Sequence, residues 1–118
     1  FMPPMQVWVG NEPDVPTMAG LGTLGAVSGV ANVMPRLTRR LVEEHASPDI
    51  DRHVQRMRDF IGILGGYGMT AAFKGMMAIL TGEPGWRRVR PPLVALDEGE
   101  FKRLAAQFEA FAPDRDNE

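Results

Sequence analysis

The sequence contains no cysteine, which excludes disulfides, thiolate metal sites and cysteine nucleophiles. It has no dominant charge either: 13 basic against 15 acidic residues leave a formal net charge of -2 over 118 residues. A nucleic-acid-binding surface normally carries a clear basic excess, so that class of partner is set aside. The clusters Arg39-Arg40 and Arg87-Arg88-Val89-Arg90 are too short to change this, and Arg36, Arg39 and Arg40 stand at ion-pairing distance in sequence from Glu43 and Glu44. Long apolar runs are missing as well; none approaches the ~20 residues that cross a bilayer, so no membrane partner is expected. The chain opens at Phe1 rather than Met and shows no signal-peptide pattern, so a natural start upstream and a cytoplasmic location are expected. His45 and His53 fall on separate helical stretches without a ligand set around them, so they are expected to be surface residues, with no metal and no cofactor.

What the chain does contain is organised around two short apolar runs. Met5-Gln6-Val7-Trp8-Val9 leads into Gly10-Asn11-Glu12, and Gly25-Ala26-Val27-Ser28-Gly29-Val30-Ala31 leads into Asn32-Val33-Met34-Pro35. Both read as buried strands, over 7–10 and 26–31, each ending in polar residues and followed by a helix. Pro13 and Pro16 suit the start of a short helix that runs out near Gly20. Two parallel strands joined by one helix form a right-handed βαβ unit, and in such sheets ligands gather at the strand carboxyl ends. Glu12 and the Val27-Ser28-Gly29 backbone are therefore the first places to look for chemistry.

From Met34 onward the pattern is helical. Pro35 opens a helix with Leu37, Leu41 and Val42 on one side, ending near His45. Ser47 as cap and Pro48 at the first turn start the next, carried by Ile50, Val54, Met57, Ile61 and Leu64 and ended by Gly65-Gly66. An apolar helix over 71–80 is expected to be buried, with Gly82 and Pro84 as its stop. Residues 83–96 are too rich in Pro and Gly for regular structure. Asp97 and Glu100 then form a capping box before a last helix whose apolar face is Phe101, Leu104, Ala105, Phe108 and Phe111. Pro113 is expected to end it, leaving a frayed tail over 114–118.

Gly20-Leu21-Gly22-Thr23-Leu24-Gly25 spells the dinucleotide fingerprint, but in reversed context. That motif needs a strand before the glycines and a helix amino terminus after them. Here a helix precedes and a strand follows, which fits a tight helix-to-strand turn better than a nucleotide site. A second physical difficulty is more general. Two parallel strands leave edges and faces that the helices of this chain are too few to cover, so the chain is not expected to be a complete folding unit.

The residues Gly10-Asn11-Glu12, Gly25-Ala26-Val27-Ser28-Gly29-Val30-Ala31-Asn32-Val33, Phe73-Lys74-Gly75-Met76-Met77 and Val89-Arg90-Pro91-Pro92-Leu93 followed by Leu96 resemble, in this order, the C-terminal part of the dihydrodipicolinate synthase / N-acetylneuraminate lyase family of class I aldolases. The resemblance covers essentially the whole chain. It implies an α/β fold: the C-terminal part of a (β/α)8 TIM barrel, contributing strands 7 and 8, followed by a helical C-terminal extension. Residues 1–46 would be the last two βα units and 47–118 the extension. The missing strands would close the edges that the chain leaves open.

The same resemblance implies a lyase or synthase that forms a Schiff base with pyruvate or a related 2-oxo acid, for aldol condensation, cleavage or dehydration. Assembly as a homo-oligomer, dimer or tetramer, is expected with it. The Schiff-base lysine and the helper tyrosine are expected upstream of Phe1, so this part alone is expected to be inactive. Lys74 and Lys102 lie on helices away from strand ends and do not fit the lysine role. The substrate-binding rim carries over to Gly10, Asn11, Glu12, Val27, through its backbone carbonyl, and Gly29. Gly29 stands where sialic-acid lyases carry a serine, and Pro13 where they carry an acid, which weighs against a sialic acid substrate. Two other readings compete: a non-catalytic helical interaction module with a vestigial βαβ start, and a nucleotide-binding fragment.

Overall fold

The computed structural model describes residues 5–111. It is mostly helical, with one small two-stranded parallel sheet. Its residues fall into two compact units that divide between Arg58 and Asp59.

In the first unit, β1 (Trp8–Val9) pairs in parallel with β2 (Gly25–Ala26), Trp8 opposite Gly25 and Val9 opposite Ala26. The ladder is extended by Leu24 N–H to the Val7 carbonyl at 3.0 Å and Val27 N–H to the Val9 carbonyl at 2.9 Å. Glycine suits the position opposite Trp8: Gly25 has φ +157°, which side chains rarely adopt, and a Cβ there would stand 3.1 Å from the indole ring. Between the strands, a 3-10 turn over Glu12–Asp14 feeds α1 (Val15–Gly20), with proline in the first turn of each where an amide donor is dispensable. The turn out of α1 is closed by Gly22 N–H to the Ala19 carbonyl at 2.9 Å and Thr23 N–H to the Met18 carbonyl at 3.2 Å. The glycine-rich segment is thus a helix-to-strand turn, in the order opposite to a dinucleotide site.

The second strand is shorter than the sequence pattern implies. In place of a strand to Ala31, residues Val30–Asn32 form a 3-10 turn. Ser28 is the physical reason: its Oγ accepts the Ala31 N–H at 3.2 Å, offering the backbone a local alternative to the ladder. The Asn32 side chain adds a bond to the Gly29 carbonyl at 3.0 Å. Next, α2 (Pro35–Glu43) begins at the anticipated proline and buries Leu37, Thr38 and Leu41. With Val15, Val30, Val33 and Met34, Leu37 and Leu41 form the apolar core of the unit, each worth roughly 1.5–3 kcal/mol when fully buried.

Helix α3 (Ile50–Leu64) starts two positions beyond Pro48; Ser47 Oγ accepts the Asp49 N–H at 3.2 Å ahead of it. His53 departs from expectation. It is buried, with Nε2 3.5 Å from a Glu44 carboxylate oxygen, because it falls one turn from Met57 on the inward face of the helix.

In the second unit, α4 (Met69–Thr81) buries Ala71, Ala72, Gly75, Met76 and Ala78 and ends at Gly82 in the left-handed conformation, φ +71°. A 3-10 turn at Pro84–Arg87 interrupts the otherwise irregular 83–96 segment, whose Pro91–Pro92 peptide is cis. Helix α5 (Glu98–Phe111) is held at its start by the anticipated box: Glu100 N–H to Asp97 Oδ1 at 2.8 Å, and Asp97 N–H to Glu100 Oε2 at 2.9 Å. Leu104 and Phe108 are fully buried, and Phe60 meets Phe108 and Phe111 at ring-centroid separations of 6.3 and 5.5 Å. The expected stop at Pro113 and the tail over 114–118 lie outside the described residues. Among the described residues, no single helix is long and apolar enough to cross a membrane.

Candidate functional site

The parallel pairing of β1 and β2 brings the segments that follow them to the same end of the sheet. Gly10, Asn11 and Glu12 leave β1, while Val27, Ser28 and Gly29 leave β2. Side chains join the two segments. Ser28 Oγ donates to Glu12 Oε1 at 2.6 Å, and the same Oγ accepts from Ala31 N–H. Glu12 is only 8% exposed, so this is a part-buried, charge-assisted bond of the stronger kind. Its second oxygen, Oε2, has no hydrogen-bond partner among the described residues.

The other sequence-derived positions sort differently. Asn11 is exposed, and its side-chain amide turns back to Asp14 Oδ2 at 2.7 Å, so it braces its own turn. Gly10 and Gly29 are exposed and carry no side chain into the space above the strands. Val27 is 72% exposed, and its N–H is held by the Val9 carbonyl. The structure thus brings Glu12 and the segment after β2 together and leaves Asn11 to a local role. Reading the sequence for this site found the Ser28 backbone but missed its hydroxyl. The available signal was a serine just beyond a strand with an acid just beyond the neighbouring one.

The face of this sheet is unusual for parallel strands, which normally pack on both sides. Trp8 is 54% exposed, and Val7, Leu24 and Val27 are open as well. Among the described residues, no group of three or more His, Asp or Glu side chains is placed to hold a metal ion. Lys74 on α4 is half-buried and Lys102 on α5 is exposed, neither at a strand end.

The chain matches no known family model, and no curated protein matches it. Among solved structures, it is similar to the crystal structure of dihydrodipicolinate synthase from Agrobacterium tumefaciens str. C58, with a TM-score of 0.77 and 29% sequence identity. The similarity covers 92% of this chain but 36% of that one, so the chain spans little more than a third of its neighbour's length.

Proposed function

We propose that this chain is the C-terminal part of a lyase or synthase of the dihydrodipicolinate synthase type, acting on pyruvate or a related 2-oxo acid. In this reading β1 and β2 are the last two strands of a (β/α)8 barrel, and the helices from α3 onward form an extension used in oligomer assembly. The Schiff base forms on a lysine outside residues 1–118, since a reactive amine must sit desolvated near strand ends, where this chain has no lysine.

The chain's contribution is to the rim. Glu12, anchored through Oε1 by Ser28, presents Oε2 to a hydroxyl or amino group on the distal part of the substrate. Gly10 and Gly29 keep side chains out of its path, Asn11 supports the turn that carries Glu12, and the Val27 carbonyl faces the reacting end. The observation that carries this reading is the convergence of Glu12 and Ser28 at the carboxyl ends of two paired parallel strands.

The test is reductive trapping. The full gene product that contains this chain is incubated with pyruvate and borohydride, and the modified residue is located by peptide mass spectrometry. The reading expects a reduced pyruvyl adduct on a lysine outside residues 1–118. An adduct on Lys74 or Lys102, or none, overturns it.

A further inference from the structure

The 84–96 surface of the second unit has a chemistry that the lyase reading does not use. Pro84, Arg87, Arg88, Val89, Ala95 and Leu96 line an open cleft of about 470 Å³. Arg87 and Arg88 line it, and Arg90 follows on the same segment. Arg87 is already committed: its guanidinium meets Glu98 Oε1 at 2.7 Å and lies 3.9 Å over the Phe101 ring. Arg88 and Arg90 are exposed and have no ion-pair partner among the described residues. Glu83 is the acid closest in sequence to Arg88, and its Oε1 accepts the Gly85 N–H at 2.9 Å instead.

The same segment carries exposed apolar side chains. Val94 is 81% exposed, and Leu93 and Trp86 stand out as well, on a segment turned by Leu93 N–H to the Arg90 carbonyl at 3.0 Å. Exposed Trp and Arg side by side are the composition of an interface centre rather than of ordinary surface. The geometry points to this cleft as a docking site for an acidic, leucine-bearing extended segment of another polypeptide. Charge complementarity selects that occupant: two unpaired guanidiniums interleaved with apolar groups fit carboxylates alternating with apolar side chains, as an extended strand presents them. Arg87, paired with Glu98, lines one side of the cleft, Arg88 supplies free charge within it, and Arg90 extends that charge along the exposed segment.

The test uses the full gene product that contains this chain, with each tryptophan other than Trp86 replaced by phenylalanine. A blocked peptide of alternating glutamate and leucine is titrated while Trp86 emission is followed, beside the glutamine–leucine counterpart and inorganic phosphate. A saturable shift is expected with the glutamate peptide. The affinity should fall roughly tenfold in Arg88→Ala/Arg90→Ala, as loss of two partly exposed ion pairs implies, and recover in Arg88→Lys/Arg90→Lys. Circular dichroism checks that each variant keeps its helices. Equal affinity for the glutamine peptide, the same saturation by phosphate alone, an unchanged affinity in the double alanine variant, or no saturable shift overturns the proposal.

Discussion

Ser28 and Glu12, 16 residues apart in the chain, are joined by a 2.6 Å hydrogen bond that ties the end of β1 to the end of β2. The two-stranded sheet is too short to fix this geometry alone, so the side-chain bond carries part of the register. Ser28→Ala removes the donor while leaving the carboxylate buried, and also strips the Ala31 amide of its acceptor. A loss of about 1–3 kcal/mol in urea unfolding is expected, since a buried acceptor left unpaired keeps its desolvation cost. Glu12→Gln keeps an acceptor in place and should lose less.

Two glycines should respond oppositely to the same substitution. A Cβ on Gly62, in α3, meets nothing within 4 Å, so Gly62→Ala should stabilise by about 0.5–1 kcal/mol through helix propensity. A Cβ on Gly75, in α4, stands 3.1 Å from Leu104 and 3.4 Å from Leu96. Leu104 is fully buried and has little room to give, so overpacking of about 1–3 kcal/mol outweighs the propensity gain and Gly75→Ala destabilises. Thermal unfolding of the two variants reads both signs.

The start of α5 rests on a reciprocal pair, Asp97 with Glu100. Asp97→Ala should cost about 1 kcal/mol. Asp97→Asn, which keeps the acceptor oxygen, should recover most of it. A double-mutant cycle with Glu100→Ala should show non-additivity, because each side chain satisfies the other residue's amide.

Thr23 gives a prediction of the other sign. Its hydroxyl is buried and has no hydrogen-bond partner among the described residues. Thr23→Val removes the unpaired group at nearly constant shape, so the chain should gain up to about 1 kcal/mol in chemical denaturation.

Much of the helical architecture was legible because its signals are local. Pro35 starts α2, Gly82 stops α4, and the Asp97–Glu100 box opens α5, each through chemistry contained within one turn. Phe60 was not singled out, although it shares a face with Met57 and Leu64 and is fully buried. The strand pattern over 26–31 gives way after Ala26, since β-branched residues around Ser28 mimic a strand while the hydroxyl bends the backbone into a turn. Sequence spacing places His53 on a helix without saying which partner helix end, here Glu44, meets it, so its burial is not legible from the pattern alone. At the candidate site, Glu12 was visible from its place after a strand. Its bond to Ser28 was not, because a contact between residues 16 apart needs the strand register as well as the spacing.

In the proposed reading β1 and β2 form part of a larger closed sheet, so by themselves they are held only weakly. Residue-resolved amide hydrogen exchange on the 118-residue chain tests this most directly. The Leu24 and Val27 amides, bonded to the Val7 and Val9 carbonyls, should exchange by local opening, orders of magnitude faster than the Leu104 and Phe108 amides of α5. Protection of Leu24 and Val27 equal to that of α5 would mean that the small sheet is self-sufficient, and would contradict the claim.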